Sequence, residues 1–263
     1  MIQSKFHLSD PASPLLALAI HNGHRLPEGL LPYTEISAED RFREEDPHTG
    51  SIAQHYANHI VLETSRFAVD LNRRPDKAVY QNPEDAWGLT VRNGVVPHSL
   101  LAGLRYSYQS WYATLQYQID RMLCQHPVVV VLDLHSYNHR RGGPDAEPDP
   151  QEKNPDIILG RSNMSEDYYP LIEDLRLRLD GQDLAGRSLD VRCDVKFPGG
   201  QLPRFLNERY DGKVICVAVE FKKIFMDEHS GVLNPALLRF LSQIFLKHSL
   251  AWVNENLKIT TAR

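Results

Sequence analysis

Cysteine is scarce in this chain of 263 residues: Cys124, Cys193 and Cys216 form neither a CxxC pair nor an even set. That argues against a disulfide framework and reads as reduced thiols in a packed core. Long hydrophobic runs are missing too. The longest apolar stretches, Leu15 to Ile20 and Val128 to Leu132, are far too short to cross a bilayer. Met1 to His7 has no long apolar centre of the kind a secretory signal carries, so the expectation is a soluble, cytoplasmic protein with no membrane partner. There is no basic excess either. Lys and Arg number 29 against 34 Asp and Glu, a net charge of −5, which makes nucleic acid a poor partner and leaves room only for a local basic pocket. What is present is ordinary globular composition, 42% hydrophobic and 24% charged, which excludes disorder. The length fits one large domain over 1–263.

Apolar runs at Leu15 to Ile20, Val128 to Leu132, Pro155 to Gly160, Leu189 to Val195 and Val214 to Phe221 predict strands. Helical spacing is expected over Ser51 to Leu71, where Ile52, Tyr56, Ile60 and Phe67 can share a side, and over Leu100 to Leu123, Tyr169 to Leu179 and Leu233 to Leu257. The Gly/Pro/charge stretch from Asn138 to Asn154 reads as a surface loop. Alternating strands and helices predict an α/β fold, a mixed, mostly parallel sheet with helices on both faces.

Three of the apolar runs stop on a residue able to bind a metal or move a proton: His21, His135 and Glu220. Open α/β sheets place ligands at the carboxyl ends of their strands, so these three can converge there. Asp133 lies two residues before His135 on the same strand face and can orient the imidazole. A catalytic zinc takes three protein ligands, and two histidines are one short. Glu44, Glu45 and Asp46 are the acids on offer for the third place, against a reading as a solvated acidic turn. Asn72-Arg73 reads either as a helix end with favourable basic charge or as a clamp whose planar guanidinium takes a carboxylate at two points. Glu220 follows five apolar residues, where a carboxylate needs a salt bridge to Lys222 or Lys223, or a cleft and work as a general base.

Taken in order, His21-Asn22-Gly23, Glu45-Asp46-Pro47-His48-Thr49, Arg66 with Asp70-Leu71-Asn72-Arg73, Asp133-Leu134-His135-Ser136, and Glu220 with Phe225-Met226-Asp227-Glu228 resemble the N-formylglutamate amidohydrolase family. That family is similar in turn to zinc carboxypeptidases, succinylglutamate desuccinylase and aspartoacylase, and the likeness runs from Ala19 to about Glu228. The resemblance implies a zinc-carboxypeptidase-like fold and one zinc per chain, or another divalent ion. It makes His21 and His135 the histidine ligands, Asn72 and Arg73 the substrate-carboxylate clamp, and Glu220 the general base. In the wider group the acidic ligand commonly sits three residues after the first histidine, where this chain has His24. The later acidic motif then supplies it, with Asp46 fitting better than Glu45. Family members often carry His-Ser-Gly at the first motif, and Tyr-His where this chain has Trp111-Tyr112.

The implied activity is hydrolysis of an N-acyl amino acid, a small molecule, with N-formyl-L-glutamate the leading substrate. Arg140, Arg141, Arg161 and Arg204 are available for a second substrate carboxylate, and Phe197-Pro198-Gly199-Gly200 can shape the pocket. The alternatives are a related zinc amidohydrolase or carboxypeptidase, and a metal-binding regulatory protein that hydrolyses nothing.

Overall fold

The valine-rich runs of this sequence become the centre of a seven-stranded sheet. A computed structural model describes residues 2–197 and 199–260. Its strands are β1 (Ser4–Leu8), β2 (Leu15–Ala19), β3 (Asn58–Leu62), β4 (Val129–Tyr137), β5 (Ile157–Gly160), β6 (Asp183–Leu184), β7 (Arg187–Ser188), β8 (Val191–Cys193) and β9 (Val214–Lys222). Its α-helices are α1 (Ala38–Glu44), α2 (Thr49–Ala53), α3 (His98–Leu123), α4 (Tyr169–Leu179), α5 (Gln201–Tyr210) and α6 (Pro235–Thr260). The sheet order is β1-β3-β2-β4-β9-β5-β8, and β6-β7 form a separate small ladder. Strands β3, β2, β4 and β9 run parallel, as do β5 and β8, while β1–β3 and β5–β9 are antiparallel. The sheet is mixed and mostly parallel, as expected.

A strand covered on both faces need not alternate apolar with polar residues, and all nine residues of β4 are buried, the first four of them apolar. Successive residues nonetheless enter different cores. Val130, Leu132 and Leu134 pack with Val217 and Val219 of β9 beneath α4 and α6, represented by Leu175, Leu241 and Trp252. Val129 and Val131 join Leu16, Leu18 and Cys216 beneath α3 and α5, represented by Leu115, Ile119 and Leu206. Helices therefore cover both faces, and the parallel strands end on one edge.

The expected helix over Ser51 to Leu71 is not there. Helix α2 stops at Ala53, β3 follows, and an irregular segment continues to Leu71. Residues Ile60, Val61 and Leu62 are buried between β1 and β2, with Val61 facing one core and Ile60 and Leu62 the other. A short continuous apolar run carries the same pattern for strand and helix, and here pairing with both neighbours decides it. Phe67, expected on the same helical side, sits in a third cluster with Tyr80 and Val91. Asn72-Arg73 consequently lies in a loop and not at a helix end. Strand β1 escapes the apolar pattern because it is an edge strand with alternating exposure. Of the three thiols, Cys216 is buried, Cys193 partly buried and Cys124 exposed, so a core setting holds fully for Cys216 alone. Among the described residues no helix is long and apolar enough to cross a membrane.

The loop after β4 is tied down by Glu228. Its carboxylate accepts from the backbone N–H of His139 at 2.7 Å and of Arg140 at 3.1 Å, and pairs with Arg43 at 3.1 Å. Burial alone would raise the Glu228 carboxyl, but His139 and these N–H donors bring it down to about 2. A carboxyl depressed below its unfolded value stabilises the fold above that value, and the contribution fades as pH falls from about 4.5 toward about 2. Glu228→Gln should lower stability at pH 7 by roughly 2–3 kcal/mol, the scale of hydrogen bonds to a charged group. The gap between variant and wild type should shrink steadily below pH 4.5; urea unfolding at pH 7, 5 and 3 reads it, and a pH-independent gap contradicts the assignment.

Candidate active site

Strand β2 delivers His21 just past its end, β4 delivers Asp133 and His135, and β9 delivers Glu220, the direct register partner of His135. The turn after α1 brings Asp46 across, its backbone N–H donating to the His21 carbonyl at 3.0 Å. Asp46 Oδ2 lies 2.9 Å from His135 Nδ1 and 3.4 Å from His21 Nδ1. One ligand atom from each of His21, Asp46 and His135 falls within 4.8 Å of the others, and all three residues are buried.

The outer nitrogens of the two imidazoles are also held. His21 Nε2 is 2.8 Å from Asp70 Oδ1, and His135 Nε2 is 3.0 Å from Asp133 Oδ2. A carboxylate behind each ring leaves both Nδ1 atoms facing Asp46, the pattern by which metal-binding histidines are oriented. His21 Nδ1 is buried and has no hydrogen-bond partner. Two nitrogens and a carboxylate oxygen, one of them orphaned, fit a divalent cation such as zinc. Burial works against charge on Asp46, yet the two histidines hold its carboxyl far below the usual range. Burial likewise opposes charge on His135, but Asp133 and Asp46 push its pKa well up.

Glu45 points away from this group. Its Oε2 is 2.5 Å from His24 Nδ1 and its Oε1 accepts from Ser65 Oγ. His24 is thereby paired with the acid next to Asp46. Neither candidate lysine pairs with Glu220. Lys222 bonds Asp156 at 3.0 Å, and Lys223 donates to the carbonyls of Arg43 (2.6 Å) and Glu45 (2.8 Å) and to Asn138 Oδ1 (2.9 Å). Burial, reinforced by Asp46 and Asp133 against His135 and Arg66, pushes the Glu220 carboxyl up to about 8. Positive charge at the triad would oppose that rise and favour the carboxylate.

The segment around Asp70 forms the opposite wall. Arg66 Nη2 is 2.8 Å from Asp70 Oδ2 and 3.3 Å from the Tyr80 hydroxyl, whose own proton goes to Asp70. Asn72 N–H donates to Asp70 Oδ1 at 2.7 Å, and Arg73 Nε stands 3.9 Å away. Arg73 is 40% exposed, so much of its guanidinium is free for a ligand. Asn72 Oδ1 accepts from the Leu202 N–H at 3.0 Å, and its Nδ2 is 3.5 Å from His135 Nε2. A Cβ at Gly200 would meet Asn72 Oδ1 at 2.3 Å, so any larger residue there would displace the Asn72 amide.

Two tyrosines of α3, Tyr108 and Tyr112, support this wall, and the sequence motifs assigned neither a role. Tyr112 donates to the Leu71 carbonyl at 2.6 Å and Tyr108 to that of Arg73 at 3.0 Å, fixing the backbone that carries Asn72 and Arg73. Their i, i+4 spacing on one helix face was the available signal.

His21, Asp46, Asn72, Arg73, His135 and Glu220 all line one cleft of about 250 Å³. Of the four arginines considered for a second carboxylate, Arg141 reaches it, 2.9 Å from Glu44 Oε1. Arg161 is paired with Asp194 at 2.8 Å, Arg204 lines another cleft, and Arg140 turns to Ala146 O (3.3 Å) and Asp227 (3.7 Å). Phe197, Gly199 and Gly200 form part of the wall, and Pro198 lies outside the described residues.

Comparison with known proteins adds a family. A family model described as N-formylglutamate amidohydrolase matches residues 13–226. The fold is similar to the crystal structure of an N-formylglutamate amidohydrolase from Ralstonia eutropha, with TM-score 0.71 and 16% identity over 99% of this chain and 100% of that one. It is also similar to a gene product of Agrobacterium tumefaciens, with TM-score 0.60 and 19% identity over 94% of this chain and 95% of that one. No curated protein sequence matches.

Lys223 is the support for the turn that presents Asp46. Burial draws its pKa down to about 8 while Asp46, Glu44 and Glu228 oppose the fall, and its three acceptors account for its three donors. Lys223→Met should leave the Arg43 and Glu45 carbonyls without this donor and cost roughly 2–3 kcal/mol in urea unfolding. A wild-type midpoint would mean that the turn holds itself.

Proposed function

The chain belongs to the N-formylglutamate amidohydrolase family, and from that premise, which makes it a hydrolase of an amide bond, we propose that it cleaves N-formyl-L-glutamate to formate and L-glutamate with one zinc per chain. The observation that carries the reading is the meeting of His21, Asp46 and His135 within 4.8 Å, with Glu220 directly beside His135 in the sheet. His21 and His135 through Nδ1, and Asp46 through Oδ2, would hold the ion. When bound, it supplies a Lewis acid for the acyl oxygen and lowers the pKa of water toward about 7.

Glu220 takes the proton of the attacking water and returns it to the leaving amine nitrogen as the C–N bond breaks. Arg66, held by Asp70 and Tyr80, directs its charge into the cleft and favours the oxygen on which negative charge develops. Arg73 and Asn72 grip the α-carboxylate and so set the acyl carbon for attack. Two observations support a small substrate over a peptide. The cleft of about 250 Å³ lies below the usual range of ligand clefts, ~300–1,000 Å³, and its cations are set for carboxylates. Arg141 takes the side-chain carboxylate. The Glu44–Arg141 contact at 2.9 Å favours a second reading, in which part of that charge is already answered and the substrate is a formyl amino acid with a neutral polar side chain.

Glu220→Gln keeps size and deletes the base, so turnover should fall by about 10²-fold or more with zinc content and folding unchanged. Near-wild-type turnover at full zinc occupancy would assign the proton transfers to another group. Arg141→Gln distinguishes the two substrates. On the first reading it should raise KM for N-formyl-L-glutamate about tenfold or more, consistent with a charged hydrogen bond, and leave N-formyl-L-glutamine nearly unaffected. Equal KM changes for both would remove Arg141 from side-chain recognition.

A further inference from the structure

A tryptophan kept at the surface calls for a reason, because its ring is among the largest apolar groups a chain can bury. Trp87 is 52% exposed, whereas Trp111 and Trp252 are 4% and 1% exposed. Its backbone is left-handed, φ 55°, an unfavourable state for a bulky residue. The preceding turn, Pro83–Ala86, is locked by reciprocal hydrogen bonds between Asn82 and Asp85, and Lys77 pairs with Asp85 at 3.1 Å. Gly88 follows at φ 92°. The turn thus fixes the backbone from which the ring projects.

That place is the cleft. The Trp87 ring lies 4.8 Å from the Arg66 guanidinium carbon and 5.7 Å from that of Arg73, with the Tyr80 ring edge-on at 6.3 Å. Both arginines also face Asp70, which pulls them from the other side. We propose that Trp87 is a positioning residue, an indole roof over the Arg66 and Arg73 guanidiniums that orients Arg73 for carboxylate binding and shields one face of it from water. The proposal rests on the reading of this cleft as a carboxylate-binding site. A cation between an aromatic face and a carboxylate loses rotamer freedom before the ligand arrives, and the roof lowers the local dielectric in which the ligand's charge is met. Trp87 touches no reacting atom; Arg66 is held independently by Asp70 at 2.8 Å and Tyr80 at 3.3 Å, whereas Arg73 stands 3.9 Å from Asp70, so Trp87 acts chiefly through Arg73, on binding more than on the chemical step.

The test separates those effects. Trp87→Ala should raise KM for N-formyl-L-glutamate about tenfold, the size expected from lost cation–π contacts, with kcat changed less than about threefold. Trp87→Phe, which keeps a ring, should recover most of the loss. The α-amide of the same substrate, which lacks the carboxylate Arg73 would hold, should show little change in KM. Equal KM increases for acid and amide, or a fall confined to kcat, would overturn the proposal. A second readout needs no turnover: with the other two tryptophans buried, L-glutamate should change the emission of wild type saturably, and the response should vanish in Trp87→Phe. A response retained in that variant, or no response in wild type, also overturns it. If wild type hydrolyses no N-acyl amino acid while the emission titration behaves as expected, the proposed activity fails and the role of Trp87 stands.

Discussion

The Asp70 carboxylate is the constraint on which the site is built. It is fully buried and meets His21, Arg66, the Asn72 N–H and the Tyr80 hydroxyl at once. Burial disfavours its charge, but Arg66 and His21 hold it well below the usual carboxylate range. A buried carboxylate is tolerated only with its lone pairs answered, so its four partners are placed to within hydrogen-bond tolerance. One group thereby couples a candidate metal ligand, the cation assigned to the oxyanion and the loop assigned to the substrate carboxylate. Removing it would release parts that are far apart in sequence.

The sheet supplies the other half of the geometry. Parallel strands β2, β4 and β9 end together, and the one-to-one register of β4 with β9 puts Glu220 beside His135. The first halves of these strands are apolar and covered on both faces, so polar positions gather toward their carboxyl ends, beginning with the buried Asp133 of β4. Polar side chains accumulate there because that is where charge can be met by other charge and by loops. The acidic turn is drawn to the same edge by Lys223, and the loop bearing Arg141 by Glu228, each a buried charge with its partners in place.

His24 and Tyr112 are each answered by a local partner. His24 takes Glu45 as its partner, which leaves Asp46 alone in facing the two Nδ1 atoms. Tyr112 uses its hydroxyl on the Leu71 carbonyl, so the position serves the clamp loop through the backbone.

Much of this was legible in the chain. Val129 to Leu132 and Val214 to Val219 read as buried strands because β-branched apolar runs of that length have little else to form, and His135 and Glu220 at their ends were marked by the abrupt change to polar chemistry. The family motifs singled out Asp46 and the Asn72-Arg73 pair. What local pattern left undecided was settled by non-local contact. Ile60 to Leu62 became a strand because β1 and β2 flank it, Glu45 was turned out by His24 and Ser65, and of the four arginines only Arg141, on the loop that Glu228 anchors, lines the cleft. Sequence by itself determined which residues must be buried and which chemistries were available, since both follow from side-chain type and spacing. Which carboxylate faces which imidazole, and that Trp87 lies over two arginines, only the tertiary structure decided, because those pairings join residues whose separation along the chain carries no information about their distance in space.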